Sequence, residues 1–296
     1  MEMVTIQAMA KINLGLDVLR RREDGYHEVK MVMQTVNLYD TLVLKVKEEG
    51  ITIRVDAKEL PEDENNLIYK AARLLYENYP IAKGVEISLT KRIPIAAGMA
   101  GGSTDAAATL VGMNQLFGLG CSEERLKKLG VTIGADIPYC IQGGTALSEG
   151  IGEKLTALPM VPDCYLVIAK PDIHVSTKYV YENLKADSLK HHPDLDAMVG
   201  AIKEGSLRGI AEHMENVLET VTQKEYPVIA RIKAMLKEQG ALNALMSGSG
   251  PTVFGLFEEE EKAREALEEM KKSGIAAQCF LTTFAPKAQV LVDHRS

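Results

Sequence analysis

Hydrophobic and polar positions in the first third of the chain predict strands separated by loops. Residues 8–19 are largely apolar, and residues 41–46 form a strand-like run that ends at a Glu-Glu-Gly turn. Residues 51–55 alternate in the same way, so we expect them to pair antiparallel with the preceding strand. Residues 66–79 switch to the spacing of an amphipathic helix, and residues 85–90 return to strand alternation.

The second half of the chain has a different order of elements. Residues 155–163 carry two prolines and predict a linker. Beyond it we expect a strand at residues 164–169, several helices, a hairpin around residues 247–251, a further helix and a final strand. The further helix, at residues 258–272, begins with four glutamates and ends with two lysines, an order that suits the helix dipole and needs no ligand. Antiparallel strands with segregated helices predict two α+β domains.

Composition narrows the function classes. The chain has 296 residues, of which 46% are apolar and 25% charged, as in ordinary globular domains. Its net charge of −7 argues against binding to duplex nucleic acid, which needs a basic face. No signal-like segment and no apolar run of membrane-spanning length is evident, so we expect a cytoplasmic enzyme. Four cysteines lack the spacing of a zinc site or a disulfide framework: Cys121, Cys140, Cys164 and Cys279.

The most informative segment is residues 94–105, Pro-Ile-Ala-Ala-Gly-Met-Ala-Gly-Gly-Ser-Thr-Asp. Small residues that lead into a helix let backbone N–H groups approach phosphate oxygens, and the helix terminus favours negative charge. Ser103 and Thr104 could add hydroxyl donors, or one of them could contact Mg²⁺. The segment is neither a Walker A nor a Rossmann sequence, and a tight loop that serves only close packing is the alternative.

Three further clusters are each ambiguous alone. Lys11, in an apolar strand two residues before Asn13, could hold an anionic substrate or simply extend to solvent at the sheet end. Asp136 stands among small and apolar residues, where a carboxylate is most often a helix cap or a turn residue. Residues 247–250, Ser-Gly-Ser-Gly, form either a hairpin turn or a second small-residue loop that packs against the first.

The order of these clusters resembles the three motifs of the GHMP small-molecule kinases. Within that superfamily, residues 10–14, 21–27, 64–68 and 134–138 are similar to the family of 4-diphosphocytidyl-2-C-methyl-D-erythritol kinases. The Asp-Gly-Tyr-His element, residues 24–27, separates this family from the mevalonate and homoserine kinases. The resemblance extends from about residue 8 to about residue 257.

The resemblance implies an α+β fold with a domain like ribosomal protein S5, residues 1–158, and a ferredoxin-like domain, residues 159–296. The implied reaction transfers the γ-phosphoryl group of ATP, with Mg²⁺, to the 2-hydroxyl of 4-diphosphocytidyl-2-C-methyl-D-erythritol. This is a step of non-mevalonate isoprenoid precursor biosynthesis. The implied partner is therefore a small molecule that carries a cytidine diphosphate, with no nucleic acid and no membrane.

The resemblance also implies roles for individual residues. Asp136 is the expected general base, and Lys11 beside it would favour the ionised carboxylate and stabilise charge on the transferred group. The expected ATP site consists of Asn66, Leu67, Lys91, Pro94, Ile95, Ala96, Ala97, Gly98, Met99, Ala100, Gly101, Gly102, Ser103 and Thr104. The expected substrate site consists of Asn13, Tyr26, His27, Asp136, Thr177 and Tyr181, with Tyr26 and His27 on the cytosine. Tyr179 is the alternative to Tyr181.

The sequence departs from the family pattern in the phosphate loop. Many members have glycine where this chain has Ala96, Ala97 and Ala100, and alanine disfavours positive φ. We therefore expect these alanines to adopt ordinary dihedral angles, or the loop to differ in shape. No acidic residue stands out as a ligand for Mg²⁺, which the phosphates and water could hold.

Three rival functions follow from the same features. Another GHMP kinase, for homoserine, mevalonate or a sugar, would keep the phosphate loop without needing Tyr26 and His27. A catalytically silent binding protein would have no reason to keep both Lys11 and Asp136. RNA binding by the S5-like domain would require a basic face with aromatic residues, which this acidic chain does not display.

Overall fold

A computed structural model of the protein describes residues 2–285 and 290–291. The strands are β1 (Met3–Arg21), β2 (His27–Lys47), β3 (Ile51–Val55), β4 (Gly84–Thr90), β5 (Thr145–Gly150), β6 (Lys154–Ala157), β7 (Tyr165–Lys170), β8 (Asn243–Met246), β9 (Val253–Phe257), β10 (Gln278–Thr283) and β11 (Val290–Leu291). The helices are α1 (Leu67–Asn78), α2 (Gly101–Leu116), α3 (Glu123–Gly130), α4 (Ile137–Gln142), α5 (Thr177–Asn183), α6 (Leu195–Lys203), α7 (Leu207–Glu212), α8 (Glu219–Glu225), α9 (Val228–Glu238) and α10 (Glu260–Ser273), with a 3-10 helix at Ala186–Ser188. None of these described helices has the length and apolarity needed to cross a membrane.

The strands form two sheets. The larger sheet has the order β11-β1-β2-β4-β3, and β5 pairs with the amino-terminal part of β2 and carries β6 on its other side. The smaller sheet has the order β10-β7-β9-β8, which is that of a ferredoxin-like fold. The expected α+β class with a ferredoxin-like second half is therefore confirmed. Residues 155–157 of the expected linker belong to β6, and β11 pairs with β1 in the larger sheet.

The expected antiparallel pairing of β3 is wrong. β3 pairs in parallel with β4, and β4 lies between β3 and β2. Backbone hydrogen bonds join the start of β4 to the short segment between β2 and β3. The Gly84 N–H donates to the Glu48 carbonyl at 3.3 Å, and the Val85 N–H donates to the Gly50 carbonyl at 2.9 Å. A Cβ on Gly84 would lie 2.3 Å from the backbone of Glu49, so only glycine permits this approach.

β1 is buried on both faces along most of its length. Ala10, Ile12 and Leu14 pack into the core shared with the smaller sheet, whereas Ala8 and Leu16 pack into the core under α2. A strand between two cores reads as a continuous apolar run, as residues 8–19 do. Register shifts on both sides of residues 11–13 interrupt its pairing with β2, and such bulges re-aim side chains next to functional sites.

The glycine-rich loop before α2 corrects one expectation. Ala96 and Ala100 have φ values of 51° and 58°, in the left-handed region, whereas Ala97 keeps an ordinary φ. The left-handed conformation costs an alanine about 1–2 kcal/mol. Burial of Ala97 and Met99 in the core of the smaller sheet compensates for that cost, because both side chains are at most 3% exposed. The loop therefore holds a glycine-like shape with two alanines.

We predict that Ala100→Gly raises the free energy of unfolding by about 0.5–1 kcal/mol, because glycine removes the left-handed strain and loses only part of the gain to unfolded-chain entropy. Ala106→Gly, in the interior of α2, is the matched control and should lower it by about 1 kcal/mol or more. Urea unfolding of both variants measures these changes. Equal destabilisation by the two substitutions would show that Ala100 is not strained.

Candidate active site

A cleft of about 860 Å³ lies where β1 and the glycine-rich loop face the carboxyl-terminal half of the chain. Segments far apart in sequence line it, and each of the four clusters singled out in the sequence contributes. The lining includes Lys11, Asn13, Arg21, Tyr26, His27, Leu67, Ala96, Ala97, Gly98, Ala100, Gly101, Gly102, Ser103, Asp136, His174, Thr177, Lys178, Tyr181, Gly248, Ser249 and Gly250. This volume falls within the range of ordinary small-molecule sites.

A charged group occupies the floor of the cleft. Lys11 Nζ donates to Asn13 Oδ1 at 2.8 Å and lies 3.6 Å from Asp136 Oδ2. Lys11 is only 5% exposed and Asn13 is fully buried, so the lysine does not extend to bulk solvent. A buried ammonium needs a polar partner, and Asn13 and Asp136 supply it. The pair therefore presents a carboxylate and a cation to the same point in the cleft.

Asp136 is not used as a capping residue. It precedes α4 with φ −80° and ψ −14°, and its side chain makes no capping hydrogen bond at this helix end. Its side chain is 33% exposed towards the cleft, and its partner across the cleft floor is Lys11. The short helix α4 is anchored behind it by the fully buried Tyr139, whose hydroxyl donates to the Gly144 carbonyl at 2.7 Å. The carboxylate is thus held on a rigid support and remains available.

The glycine-rich loop divides its residues between core and cleft. Ala96, Gly98 and Ser103 belong to the part that lines the cleft. Thr104 does not, because its hydroxyl donates to the Met9 carbonyl at 2.7 Å. Pro94, Ile95 and Met99 are likewise outside the described cleft lining, and the carbonyl of Met99 accepts the N–H of Lys11 at 3.2 Å. Ser103 is therefore the hydroxyl of this loop that faces the cleft.

The residues 247–250 pack directly against the glycine-rich loop. Ser247 Oγ donates to the Gly98 carbonyl at 2.9 Å and accepts the N–H of Asn13 at 3.3 Å. A Cβ on Gly98 would lie 2.2 Å from the Ser247 carbonyl oxygen, so the two loops touch backbone to backbone. Both interpretations of this segment hold, because it is the hairpin loop between the antiparallel strands β8 and β9 and it also packs on the glycine-rich loop.

Aromatic side chains line another part of the cleft, called here its aromatic end. The rings of His27 and Tyr181 lie 5.1 Å apart with a tilt of 40°, and Tyr26 is 58% exposed beside them. Thr177 shares a hydrogen bond of 2.9 Å with Ser249. Tyr179 lies outside the described lining and is 41% exposed. The expected substrate residues therefore come together, and of the two tyrosines the geometry favours Tyr181.

The electrostatic environment suits an uncharged ligand group at the aromatic end. Burial lowers the pKa of His27, and the nearby Arg21 guanidinium lowers it further. Burial, together with the Asp136 carboxylate, raises the pKa of Tyr181 well above the usual tyrosine range. Near neutral pH both side chains are therefore uncharged, and each can donate or accept a hydrogen bond.

Two expected ATP residues serve the scaffold beside the cleft. Asn66 accepts the Ile68 N–H at 2.9 Å and donates to the Pro61 carbonyl at 2.8 Å, so its side chain caps α1. The side chain of Lys91 is 7% exposed, and its Nζ lies 2.5 Å from an Asp40 carboxylate oxygen and 2.8 Å from an Asp105 carboxylate oxygen. Neither residue belongs to the described cleft lining, in contrast to Leu67, which follows Asn66 and lines it.

Lys91 and its two carboxylates form a buried ionic cluster beneath the start of α2. Asp40 also accepts the N–H groups of Arg92 and Ile93 at 2.5 and 2.8 Å, which fixes the chain just before the glycine-rich loop. Burial lowers the pKa of Lys91, but the two carboxylates outweigh this and raise it. Burial raises the pKa of Asp105, Lys91 opposes this shift, and the neighbouring Asp40 carboxylate adds to it. The cluster supports the loop and α2 from below.

Sequence reasoning missed four ionisable residues of the described cleft lining, namely Arg21, His174, Lys178 and Glu182. Arg21 directly precedes residues 22–27, so its proximity to the Asp-Gly-Tyr-His element could have identified it. His174 and Lys178 stand in and after a loop that carries no motif, so nothing in the sequence marks them. Among the described residues, no group of three or more His, Cys, Asp or Glu side chains is arranged to hold a metal ion.

Comparisons with known proteins agree with this geometry. Residues 66–144 match the GHMP kinases N terminal domain, and residues 198–276 match the GHMP kinases C terminal family. The chain is 53% identical over 288 residues to the 4-diphosphocytidyl-2-C-methyl-D-erythritol kinase of Lachnospira eligens, covering 97% of this chain and 100% of that one. The enzyme of the same name from Acetivibrio thermocellus is 50% identical, with coverage of 95% and 99%.

Solved structures extend the comparison to three dimensions. A crystal structure of 4-(cytidine 5'-diphospho)-2C-methyl-D-erythritol kinase superposes with a TM-score of 0.82 at 32% identity, covering 95% of this chain and 99% of that one. A homoserine kinase from Cytophaga hutchinsonii superposes with a TM-score of 0.80 at 23% identity over 98% of each chain, which is a likeness of fold alone. The chain therefore belongs to the 4-diphosphocytidyl-2-C-methyl-D-erythritol kinase family of the GHMP kinases and is an ATP-using enzyme.

Proposed function

We propose that this enzyme transfers the γ-phosphoryl group of ATP to the 2-hydroxyl of 4-diphosphocytidyl-2-C-methyl-D-erythritol, a step of non-mevalonate isoprenoid precursor biosynthesis. One observation carries the proposal: Lys11 Nζ lies 3.6 Å from Asp136 Oδ2 in a single cleft, between a phosphate loop and an aromatic end. A substrate with a base at one end and an alcohol at the other would span these two ends. Homoserine and mevalonate have no base to place against Tyr26 and His27.

In the proposed mechanism, Asp136 accepts the proton of the 2-hydroxyl as the oxygen attacks the γ-phosphorus. The bond between the γ-phosphorus and the β,γ-bridging oxygen breaks, and ADP leaves. The Asp136 carboxylate is partly exposed and free of capping bonds, so it can reach a bound alcohol. The Lys11 ammonium stabilises negative charge on the equatorial oxygens of the transferred group. Phosphoryl transfer through a loose transition state requires mainly such positioning and electrostatic stabilisation.

The glycine-rich loop and residues 248–250 are the proposed site for the ATP phosphates. Both segments line the cleft with small residues, which lets backbone N–H groups approach the phosphate oxygens. Of the three residues expected beside the adenosine, Asn66, Leu67 and Lys91, only Leu67, at the start of α1, belongs to the described cleft lining. Asn66 and Lys91 act through the backbone that they hold, because their side chains are engaged in capping and in the buried ionic cluster.

Mg²⁺ is proposed as the accompanying ion. It prefers oxygen ligands, and the cleft offers the Ser103 hydroxyl, which faces the segment that carries Asp136: its oxygen lies 3.9 Å from the position of a Cβ on Gly134. The donor set fits an ion held chiefly by phosphate oxygens and water, with Ser103 as the protein contact. When bound, the ion neutralises charge on the β- and γ-phosphates.

The aromatic end is the proposed cytidine site. Tyr26 offers an exposed π-face for stacking, and neutral His27 can both donate to and accept from the base edge. Tyr181 stands against His27 and closes that side of the site. Arg21, which lines the same end, is placed to attract the anionic diphosphate of the substrate.

The proposed division of the chain into domains 1–158 and 159–296 agrees with the two sheets, with one exception. β1 to β6 form the larger sheet and β7 to β10 the smaller one, but β11 pairs with β1 across the boundary. The proposed ATP loop belongs to the first domain, and Thr177 and Tyr181 belong to the second. The proposed active site therefore requires both.

Asp136→Asn should lower kcat by about 10²- to 10⁴-fold, because an amide cannot accept the substrate proton. The dissociation constant for ATP should stay within about twofold of the parent value, since the exchange preserves the size of the side chain and the loops are untouched. Steady-state kinetics and a nucleotide-binding titration measure the two effects. Asp163→Asn, at an exposed position outside the described cleft lining, is the control. Near-parent turnover of Asp136→Asn would refute the general-base assignment.

Tyr26→Ala should raise KM for the cytidine substrate about five- to hundredfold, the loss expected from one stacking partner, and leave KM for ATP nearly unchanged. Tyr179→Ala is the matched control, because this tyrosine is also exposed but lies outside the described lining. Initial-rate kinetics with each substrate varied in turn separate the two constants. If both constants rise equally in Tyr26→Ala, the base does not bind at the aromatic end.

A further inference from the structure

Asn216 is a buried polar residue outside the cleft lining that the reaction scheme leaves without a role. It is 3% exposed and lies in the segment between α7 and α8. This segment is attached to β1, because the Leu16 N–H donates to the Glu215 carbonyl at 2.9 Å and the Val217 N–H donates to the Leu16 carbonyl at 3.0 Å. Asn216 is therefore fixed to the strand that carries Lys11 and Asn13.

The side chain of Asn216 reaches from this segment to the loop at residues 247–250. Its Nδ2 donates to the Met246 and Gly248 carbonyl oxygens, each at 2.8 Å, and its Oδ1 accepts the Leu218 N–H at 3.0 Å. Both amide hydrogens and the amide oxygen are thus engaged, which fixes the orientation of the side chain. The two carbonyls stand on either side of Ser247, so Asn216 sets the position of that residue.

Ser247 transmits this position to the other two motifs of the cleft. Its hydroxyl joins the Gly98 carbonyl to the N–H of Asn13, and its own carbonyl oxygen lies where a Cβ on Gly98 would be 2.2 Å away. At such a close approach, a shift of one loop moves the other. Glu219 secures the same strand end from α8, since it accepts the Met246 N–H at 2.8 Å and pairs with Lys233 at 2.5 Å.

We propose that Asn216 is a positioning residue for ATP: it holds the loop at residues 247–250 against the glycine-rich loop so that both present their backbone to the triphosphate. This inference rests on the proposed assignment of ATP to that end of the cleft. Asn216 touches neither the substrate nor the reacting atoms. Its effect passes through Met246, Gly248 and Ser247.

Asn216→Asp tests the proposal, because it replaces an N–H₂ that donates to two carbonyls with an oxygen that repels them. Near pH 8 the dissociation constant for ATP, measured by titration without acceptor substrate, should rise about tenfold or more. KM for the cytidine substrate should change by less than about twofold. A variant that merely folded less completely would lower kcat and leave both constants unchanged.

The pH dependence of Asn216→Asp supplies a second readout. A buried carboxyl beside two carbonyl oxygens has a raised pKa, so it takes up a proton as the pH falls and then donates one hydrogen bond to the loop. The ratio of the ATP dissociation constants of variant and parent should therefore decrease between about pH 8 and about pH 6. A ratio that is independent of pH would contradict the proposal.

Asn243→Asp is the matched control. Asn243 begins β8, the strand that ends at Met246, and its Nδ2 also donates to a carbonyl, that of Ala211 at 2.7 Å, outside the described cleft lining. Its ATP dissociation constant should stay within about twofold of the parent value. Equal weakening in Asn243→Asp, or parent-like binding by Asn216→Asp, would overturn the role of Asn216.

Asn216→Ser serves if Asn216→Asp does not fold, because serine keeps one hydroxyl donor and adds no charge. Asn216→Ser should weaken ATP binding several-fold, and parent-like binding would overturn the proposal.

The ATP titration needs no acceptor substrate. It therefore tests the role of Asn216 in ATP binding separately from the proposed identity of the acceptor. A parent enzyme that binds ATP but does not phosphorylate the cytidine substrate would refute the proposed acceptor alone.

Discussion

The ammonium of Lys11, buried in a strand that is covered on both faces, is the constraint on which the site depends. A lone charge in that position would be strongly destabilising, so the fold has to bring polar groups to it. Asn13 does so from the same face of β1, and Asp136 does so from the start of α4, 125 positions further along the chain. The polar groups that stabilise the buried ammonium therefore include the Asp136 carboxylate, so a carboxylate and a cation lie side by side in the cleft.

The loops around this pair combine strain with close contact. Ala96 and Ala100 stand in the left-handed region, and Gly98 meets Ser247 at a distance that leaves no room for a side chain. Strained backbone of this kind persists only where its surroundings hold it. Burial of Met99 holds it from the core, the cluster of Lys91 with its two aspartates holds it from below, and the loop fixed by Asn216 holds it from the side.

The sequence was sufficient to predict the fold class and to bring Lys11, Asn13 and Asp136 into consideration together with the glycine-rich loop. Small-residue loops and isolated polar residues in apolar segments can be recognised directly in the sequence. The sequence failed where the answer depended on long-range geometry. The parallel pairing of β3 results from the insertion of β4, and the left-handed alanines result from packing of the loop. The sequence also does not reveal the buried groups that the side chains of Lys91 and Thr104 contact, and a role of these two residues at the ATP site stays a prediction. No sequence motif marks Asn216, since the two carbonyls that its Nδ2 contacts lie 30 and 32 residues away.

Substrate choice is the most direct test of the central claim, that one cleft joins a phosphoryl-transfer centre to a cytidine site. A coupled assay of ADP release with MgATP should compare 4-diphosphocytidyl-2-C-methyl-D-erythritol with homoserine, mevalonate and galactose. We expect turnover with the cytidine substrate alone. Turnover with homoserine, mevalonate or galactose, and none with the cytidine substrate, would contradict the claim, because the aromatic end would then have no part in recognition.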